Sequence, residues 1–212
     1  MNIKKFTFNP FSENTYILFD ETKECVIIDP GCYEESEKKH LIDFIEIEKL
    51  KPKLLLNTHC HIDHVFGCKF IFDKFDLKPI IHKDDIPTLR MAASSGSLWG
   101  LELENVPNPE NFISEKDIIK FGKQELEVFF TPGHAPGHVC FVHHKTKSII
   151  NGDVLFQLSI GRTDLPGCNH SDLINSIEKK LFTLPDDYTV YSGHGSETNI
   201  GFEKQNNPFL KK

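Results

Sequence analysis

Three histidines and an aspartate fall within six residues of this chain, at His59, His61, Asp63 and His64 in the run THCHIDH. Imidazole nitrogen and carboxylate oxygen are the donors that suit zinc and similar divalent ions. The motif follows Leu54-Leu55-Leu56, an apolar run that reads as a short, fully buried strand. Where a chain leaves a strand, alternate residues can turn their side chains toward one point. The competing reading is a polar loop with accidental histidines, since 11 of the 212 residues are histidine. A hydrophobic strand directly ahead of HxHxDH makes that reading the weaker one. One such cluster cannot fill two metal spheres, so more ligands must come from elsewhere.

Three other apolar stretches end in a candidate ligand. Phe129-Phe130 lead through Thr131-Pro132-Gly133 to His134, Ile149-Ile150 lead through Asn151-Gly152 to Asp153, and Val190-Tyr191 lead through Ser192-Gly193 to His194. Gly193 and Gly195 flank the last of these and permit close backbone approach. Taken singly, these are a turn histidine, a capping aspartate and a loop histidine. All three terminate apolar strands in a chain that already holds HxHxDH, which favours the ligand reading. His40, His82, His138, His143, His144 and His170 read as surface or core histidines, and Cys60 and Cys168 as non-ligands.

The elements that must position these residues follow a mixed pattern. Asn14–Phe19 and Cys25–Ile28 read as a hairpin closed by Asp20-Glu21-Thr22-Lys23. A helix is expected from about Glu34 to Leu50, with Leu41, Ile42, Ile45 and Leu50 at near-helical spacing and Pro52 closing it. The strand Leu54–Asn57 then delivers the motif, and a short helix over Val65–Phe72 opens within it. Pro79–His82 reads as a parallel strand and Asp84 to about Met91 as helical, with Ala92–Pro109 a surface excursion bordering a pocket. In the second half, Ile118–Phe121, Leu126–Phe130, Val139–Val142, Ser148–Ile150 and Tyr188–Tyr191 read as strands, and Ser171 to about Leu181 as a helix. No Ser/Gly-rich linker separates the halves, so residues 1–212 are expected to form one α/β (α+β) domain of two sheets with helices outside.

Composition sets the limits. With 39% hydrophobic and 26% charged residues the chain can bury a sizeable core. A net charge of −7 implies no basic face and argues against nucleic acid as a partner. No apolar run is long enough for a signal-peptide core at the N-terminus or for a membrane span, so no membrane partner is expected. The six cysteines show no CxxC and no compact framework, which suits reduced thiols and a cytoplasmic location.

The set THCHIDH, TPGH, NGD and SGHG resembles the metallo-β-lactamase superfamily from roughly Asn14 to Asn207. That resemblance implies a four-layer αββα sandwich. It also implies a division of ligands: His59, His61 and His134 on one ion, Asp63, His64 and His194 on a second, and Asp153 bridging them. IIDPG at Ile27–Gly31 matches an early strand motif whose aspartate, here Asp29, supports a metal ligand from behind. TPGHAPGHV and NGDVLFQLSIGRTDLPG are most similar to glyoxalase II-like thioester hydrolases, in particular the short bacterial forms without the C-terminal helical domain that holds glutathione. Arg162 stands where those enzymes typically carry a glutathione-contacting lysine, and Ser196 where they often carry a tyrosine.

The resemblance therefore implies a hydrolase of a small-molecule thioester or ester, such as S-lactoylglutathione, using two divalent cations. Hydroxide generated between them would attack the carbonyl, with His59, His61, Asp63 and Asp153 at the reacting centre. Zinc is the expected ion; iron and manganese suit the same ligands. Arg162, beside Asp164, reads either as a buried or half-buried structural ion pair or as the holder of a substrate carboxylate. The nearest rival is a persulfide dioxygenase with one iron on His59, His134 and Asp153, which would leave the second triad unused. Lactonase or phosphodiesterase chemistry and a catalytically silent metal-binding domain are the further alternatives. Oligomeric state is not legible in the sequence.

Overall fold

The structure, a computed structural model, describes residues 1–210. Its first half runs β1 (Asn2–Phe8), β2 (Glu13–Phe19), β3 (Glu24–Ile28), α1 (Glu35–Ile47), β4 (Lys51–Leu56), α2 (Ile62–Val65), α3 (Cys68–Phe75), β5 (Pro79–His82), α4 (Ile86–Ser97) and β6 (Phe112–Ile113). These strands form one sheet in chain order, antiparallel through β3 and parallel from β3 to β6. The second half runs β7 (Ile118–Phe121), β8 (Gln124–Phe130), β9 (Val139–His143), β10 (Ser148–Gly152), β11 (Leu155–Phe156), β12 (Ser159–Ile160), α5 (His170–Lys179), β13 (Thr189–Ser192), β14 (Thr198–Asn199) and α6 (Ile200–Asn206). Its main sheet has the order β14-β13-β10-β9-β8-β7, and β11 and β12 make a small separate ribbon.

Side-chain alternation along the strands sorts the apolar residues into three layers of core. Tyr16, Leu18, Val26, Ile28 and Leu56 of the first sheet pack on Leu126, Val128, Phe141 and Ile150 of the second. The opposite face of the first sheet, with Ile17, Ile27 and Leu55, packs on Leu41, Ile45 and Ile71 of its helices. The outer face of the second sheet, with Cys140, Val142 and Val190, packs on Leu173 and Ile177 of α5. Two sheets face to face with helices on both outer sides make the four-layer αββα sandwich.

The structure departs from the sequence reading at several boundaries. Helix α4 continues through Ser97, so the surface excursion begins there and not at Ala92. Ser94 and Ser97 donate their hydroxyls back to the carbonyls of Met91 and Ala93, and Gly96 packs on Ile62, so residues that signal a loop are absorbed into the helix. Pro52 lies inside β4 next to a register shift against β3; helix α1 already ends at Ile47. The helix after HxHxDH is two pieces, α2 and α3, joined at Gly67. Strand β1 and helix α6 are additions to the reading.

Candidate metal centre

Each candidate ligand leaves the end of a strand. His59 and His61 follow β4, Asp63 and His64 lie in the single turn of α2, His134 follows β8, Asp153 follows β10 and His194 follows β13. β10 and β13 run parallel, so their C-terminal ends lie side by side and bring Asp153 next to His194. Gly193 makes this approach feasible: a Cβ there would sit 2.1 Å from Asp153 Oδ1 and 2.8 Å from His64 Cε1.

The seven side chains converge on one spot. One potential ligand atom each from His59, His61 and His134 lie mutually within 4.8 Å, and so do those of Asp63, His64 and His194. Asp153 stands between the two groups. Its Oδ1 lies 3.5 Å from His64 Nε2, and its Oδ2 lies 3.5 Å from both His134 Nε2 and His194 Nε2. His61 Nδ1 meets His134 Nε2 at 2.8 Å, and His194 Nε2 meets Asp63 Oδ2 at 3.1 Å.

Surrounding acceptors dictate which nitrogen faces the centre. His134 Nδ1 donates to the Arg162 carbonyl at 2.9 Å, and His194 Nδ1 donates to the Phe11 carbonyl at 3.0 Å, since a carbonyl only accepts. Thr58 Oγ1 donates to Asp29 at 2.6 Å and so accepts from His59 Nδ1 at 3.1 Å. In all three, Nδ1 carries the proton and Nε2 keeps a lone pair for the centre. Asp29 also accepts from the Thr58 amide at 2.7 Å and lies 3.1 Å from His64 Nδ1, which holds that ring with Nε2 toward Asp63 and Asp153.

Two groups absent from the candidate ligand set support it from behind. His138 is buried, stacked on His59 at 5.0 Å between centroids, and its Nε2 accepts the Asp153 amide at 3.1 Å. With Nε2 occupied, it places Asp153 and is not free to ligate. The sequence reading of His138 as a surface or core histidine missed this role, for which the repeated Pro-Gly-His triplet in PGHAPGH is the available signal. Asp85, at the start of α4, accepts from the amides of Cys60 at 2.5 Å and Gly137 at 3.2 Å and from Thr88 Oγ1 at 2.9 Å. It thereby ties the HxHxDH loop to the loop that carries His134. An acid just past an apolar strand, Ile80-Ile81-His82-Lys83-Asp84-Asp85, was its signal. Glu13 is also buried near the centre, its Oε1 3.9 Å from His64 Nδ1, and burial pushes its carboxyl well above the usual range.

The donor set fits divalent ions. His59 Nε2, His64 Nε2 and Asp153 Oδ1 are buried and find no hydrogen-bond partner in the protein, a costly state for three lone-pair donors aimed at one point. Burial and the neighbouring histidines hold His59 well below the ordinary imidazole value, and the same causes bring His61 to about 3, so both rings offer bare nitrogen. Burial opposes ionisation of Asp153, but His64 and His194 outweigh it and hold the carboxyl far below its usual range. Asp63 is lowered in the same way.

The centre opens into a cavity of about 850 Å³. Arg162 lines it, with its guanidinium bonded to both oxygens of Asp164 at 2.7 and 2.8 Å. The expected ion pair is present, but it is exposed (57% and 68% for the two side chains) and not buried. Among the described residues all six cysteines are free thiols, and Cys168 donates to the His134 carbonyl. Among the same residues no helix is long and apolar enough to cross a membrane.

Comparison with known proteins places this geometry. The sequence profile described as the metallo-beta-lactamase superfamily matches residues 8–194. The hydroxyacylglutathione hydrolase GloC of Haemophilus influenzae is 38% identical over 212 residues, covering 99% of this chain and 98% of that protein. The crystal structure of the BLEG-1 B3 metallo-beta-lactamase superposes with a TM-score of 0.90 at 34% identity, with both chains fully covered. A structure in a di-iron-bound form superposes with a TM-score of 0.88 at 35% identity, covering 98% of this chain and all of the other. Strand-end ligands, sandwich and sequence agree, and the chain belongs to the metallo-beta-lactamase superfamily of metal-dependent hydrolases.

Proposed function

We propose that the chain hydrolyses carboxylic thioesters at a centre of two divalent ions. His59, His61 and His134 would hold one ion and Asp63, His64 and His194 the other, with Asp153 shared. The observation that carries this reading is the pair of complete triads on either side of a single carboxylate. A persulfide dioxygenase on His59, His134 and Asp153 alone would have no use for the second triad. Two bound dications supply a hydroxide at neutral pH and a Lewis acid for the carbonyl oxygen.

The chain's own residues do the rest. The proton on Nδ1 of His59, His134 and His194 is fixed by outward acceptors, so the inward nitrogens are ready without reorganisation. Asp29 and His138 hold His64 and Asp153 in place from behind. The leaving group favours a thioester: among the described residues lining the cavity the acidic and imidazole groups, Asp63, Asp153, His61, His134 and His194, all belong to the candidate ligand set, and a thiolate departs without a proton donor. Zinc, iron and manganese all suit the donors, and the di-iron relative supports iron alongside zinc.

The name of the 38% identical relative makes S-lactoylglutathione the first substrate to try. Purified protein with zinc, iron and manganese quantified in the same sample is expected to hydrolyse it with about two ions per chain. A fully metallated protein that leaves it and simple aryl and alkyl thioesters intact would overturn the reading. Nitrocefin in parallel reports on the amide chemistry named for the B3 relative.

A further inference from the structure

The walls of the cavity differ in kind from its floor. The floor is the ligand cluster, with His61, Asp63, His134, Asp153 and His194 facing the space. One wall is the last two turns of α4 and the residues after it, where Met91, Ala92, Leu98 and Trp99 face the cavity. The facing wall, β11 to the loop before α5, presents Phe156, Ile160, Leu165 and Pro166. Phe11, from the β1–β2 turn, meets Trp99 edge-on at 6.0 Å across the mouth, and its carbonyl holds His194. Phe156 stands 6.2 Å from the His194 ring, so the aromatic lining reaches the metal ligands themselves.

Three of these side chains are exposed at the rim, Met91 at 39%, Trp99 at 67% and Leu98 at 86%. Large apolar side chains grouped beside a cleft mark a surface meant to be covered. Charge points the same way. Among the described residues lining the cavity Arg162 is the only Lys or Arg, and Asp164 already takes both of its facing N–H groups. A ligand with two carboxylates, such as a glutathione arm, would find no unpaired cation there.

We propose that this trough binds an alkyl or aryl arm of the substrate, so that the preferred substrates are thioesters or esters with one apolar side and little charge. The proposal rests on the hydrolase reading for its chemistry, but the apolar arm is held by the walls and not by the metal ligands. Leu98, Trp99, Met91 and Phe156 are the specificity-determining residues.

The chain's single tryptophan is Trp99, so its fluorescence reports directly on the rim. The test titrates the metallated protein with linear carboxylates from acetate to octanoate, which keep the same head group for the centre and lengthen only the arm. A blue shift of the emission is expected, with affinity rising about two- to fourfold for each added methylene. Leu98→Asp and Met91→Asp, both at exposed positions, should flatten that dependence. Equal affinities for acetate and octanoate, or a chain-length dependence that both variants leave intact, would overturn the proposal. Turnover of thioesters is scored separately. Chain-length-dependent binding with no turnover removes the hydrolase reading and leaves the apolar arm; turnover of S-lactoylglutathione with a flat series does the reverse.

Discussion

Asp153 turns both carboxylate oxygens to the ligand groups, Oδ1 toward His64 of one group and Oδ2 toward His134 of the other as well as His194. An amide in its place offers one oxygen and turns an N–H donor toward nitrogens that need a cation. Asp153→Asn is therefore expected to lower bound metal and cut hydrolysis by about a hundredfold or more together. Normal metal content with normal turnover would remove the shared-carboxylate role. The histidines carry a second expectation, for protein stripped of metal. Burial and histidine neighbours keep His59, His61 and His138 below the ordinary imidazole value. Burial would lower His64 and His194 as well, but carboxylates, Asp63 first for His64 and Asp153 first for His194, raise both. Below a pH of about 6.5 the unfolded chain holds protons that the folded His59, His61 and His138 refuse, so stability rises with pH. Above it the folded chain keeps protons on His64 and His194 that the unfolded chain sheds, so stability falls. Urea midpoints of chelator-treated protein should peak near pH 6.5; a steady rise through pH 8.5 would contradict charged His64 and His194.

At the scale of elements, the ligand loops are held by a buried acid that belongs to neither. Asp85 receives the amides of Cys60 and Gly137, and Gly137 has no room for a side chain, since a Cβ there would lie 2.3 Å from the Asp85 amide nitrogen. Asp85→Ala strands two buried amides and frees the HxHxDH and PGHAPGH loops from each other. A loss of about 2–4 kcal/mol in stability and a 10–100-fold drop in metal affinity are expected, read by denaturant titration and by competition with a chelator. Unchanged values for both would make Asp85 incidental. Asp85 also shows what the sequence left hidden. Residues at the ends of long apolar strands were legible, because strand burial is written in the run itself. Support from behind was legible only at Asp29, through the IIDPG resemblance; Asp85 and His138 were hidden because they act through backbone amides of distant segments. Among the elements, β6, β11, β12 and β14 span two residues each, too few for any period to show. Strand β1 does alternate at Phe6 and Phe8, but at a sheet edge with Lys4 and Lys5 beside them its only pairing is to β2. Helix α4 runs past Ser94-Ser95-Gly96 because Gly96 fits against Ile62, a contact no local rule contains.

Across the whole molecule, the centre lies where the two sheets meet, and each half of the chain supplies part of each ligand group. His59, His61, Asp63 and His64 come from the first half, His134, Asp153 and His194 from the second. The halves are also pinned together there without metal: Tyr16 donates to the Ser192 carbonyl at 2.6 Å, and Asn14 donates to the carbonyls of Ser192 and Gly195 at 3.0 Å each. Metal held by donors from both sheets would bind only the folded chain, and so would add to the stability of the whole sandwich and not of one half. An ion at a hundred times its Kd contributes about 2.7 kcal/mol, and two such ions about 5 kcal/mol. For a domain of this size that corresponds to a Tm raised by about 10–20 °C relative to stripped protein, in a single transition that moves with metal concentration. Calorimetry before and after chelation, with zinc or iron added back, measures it. Two separated transitions in the metal-loaded protein, only one of which moves with metal, or a Tm indifferent to metal, would mean that the ions do not join the sheets.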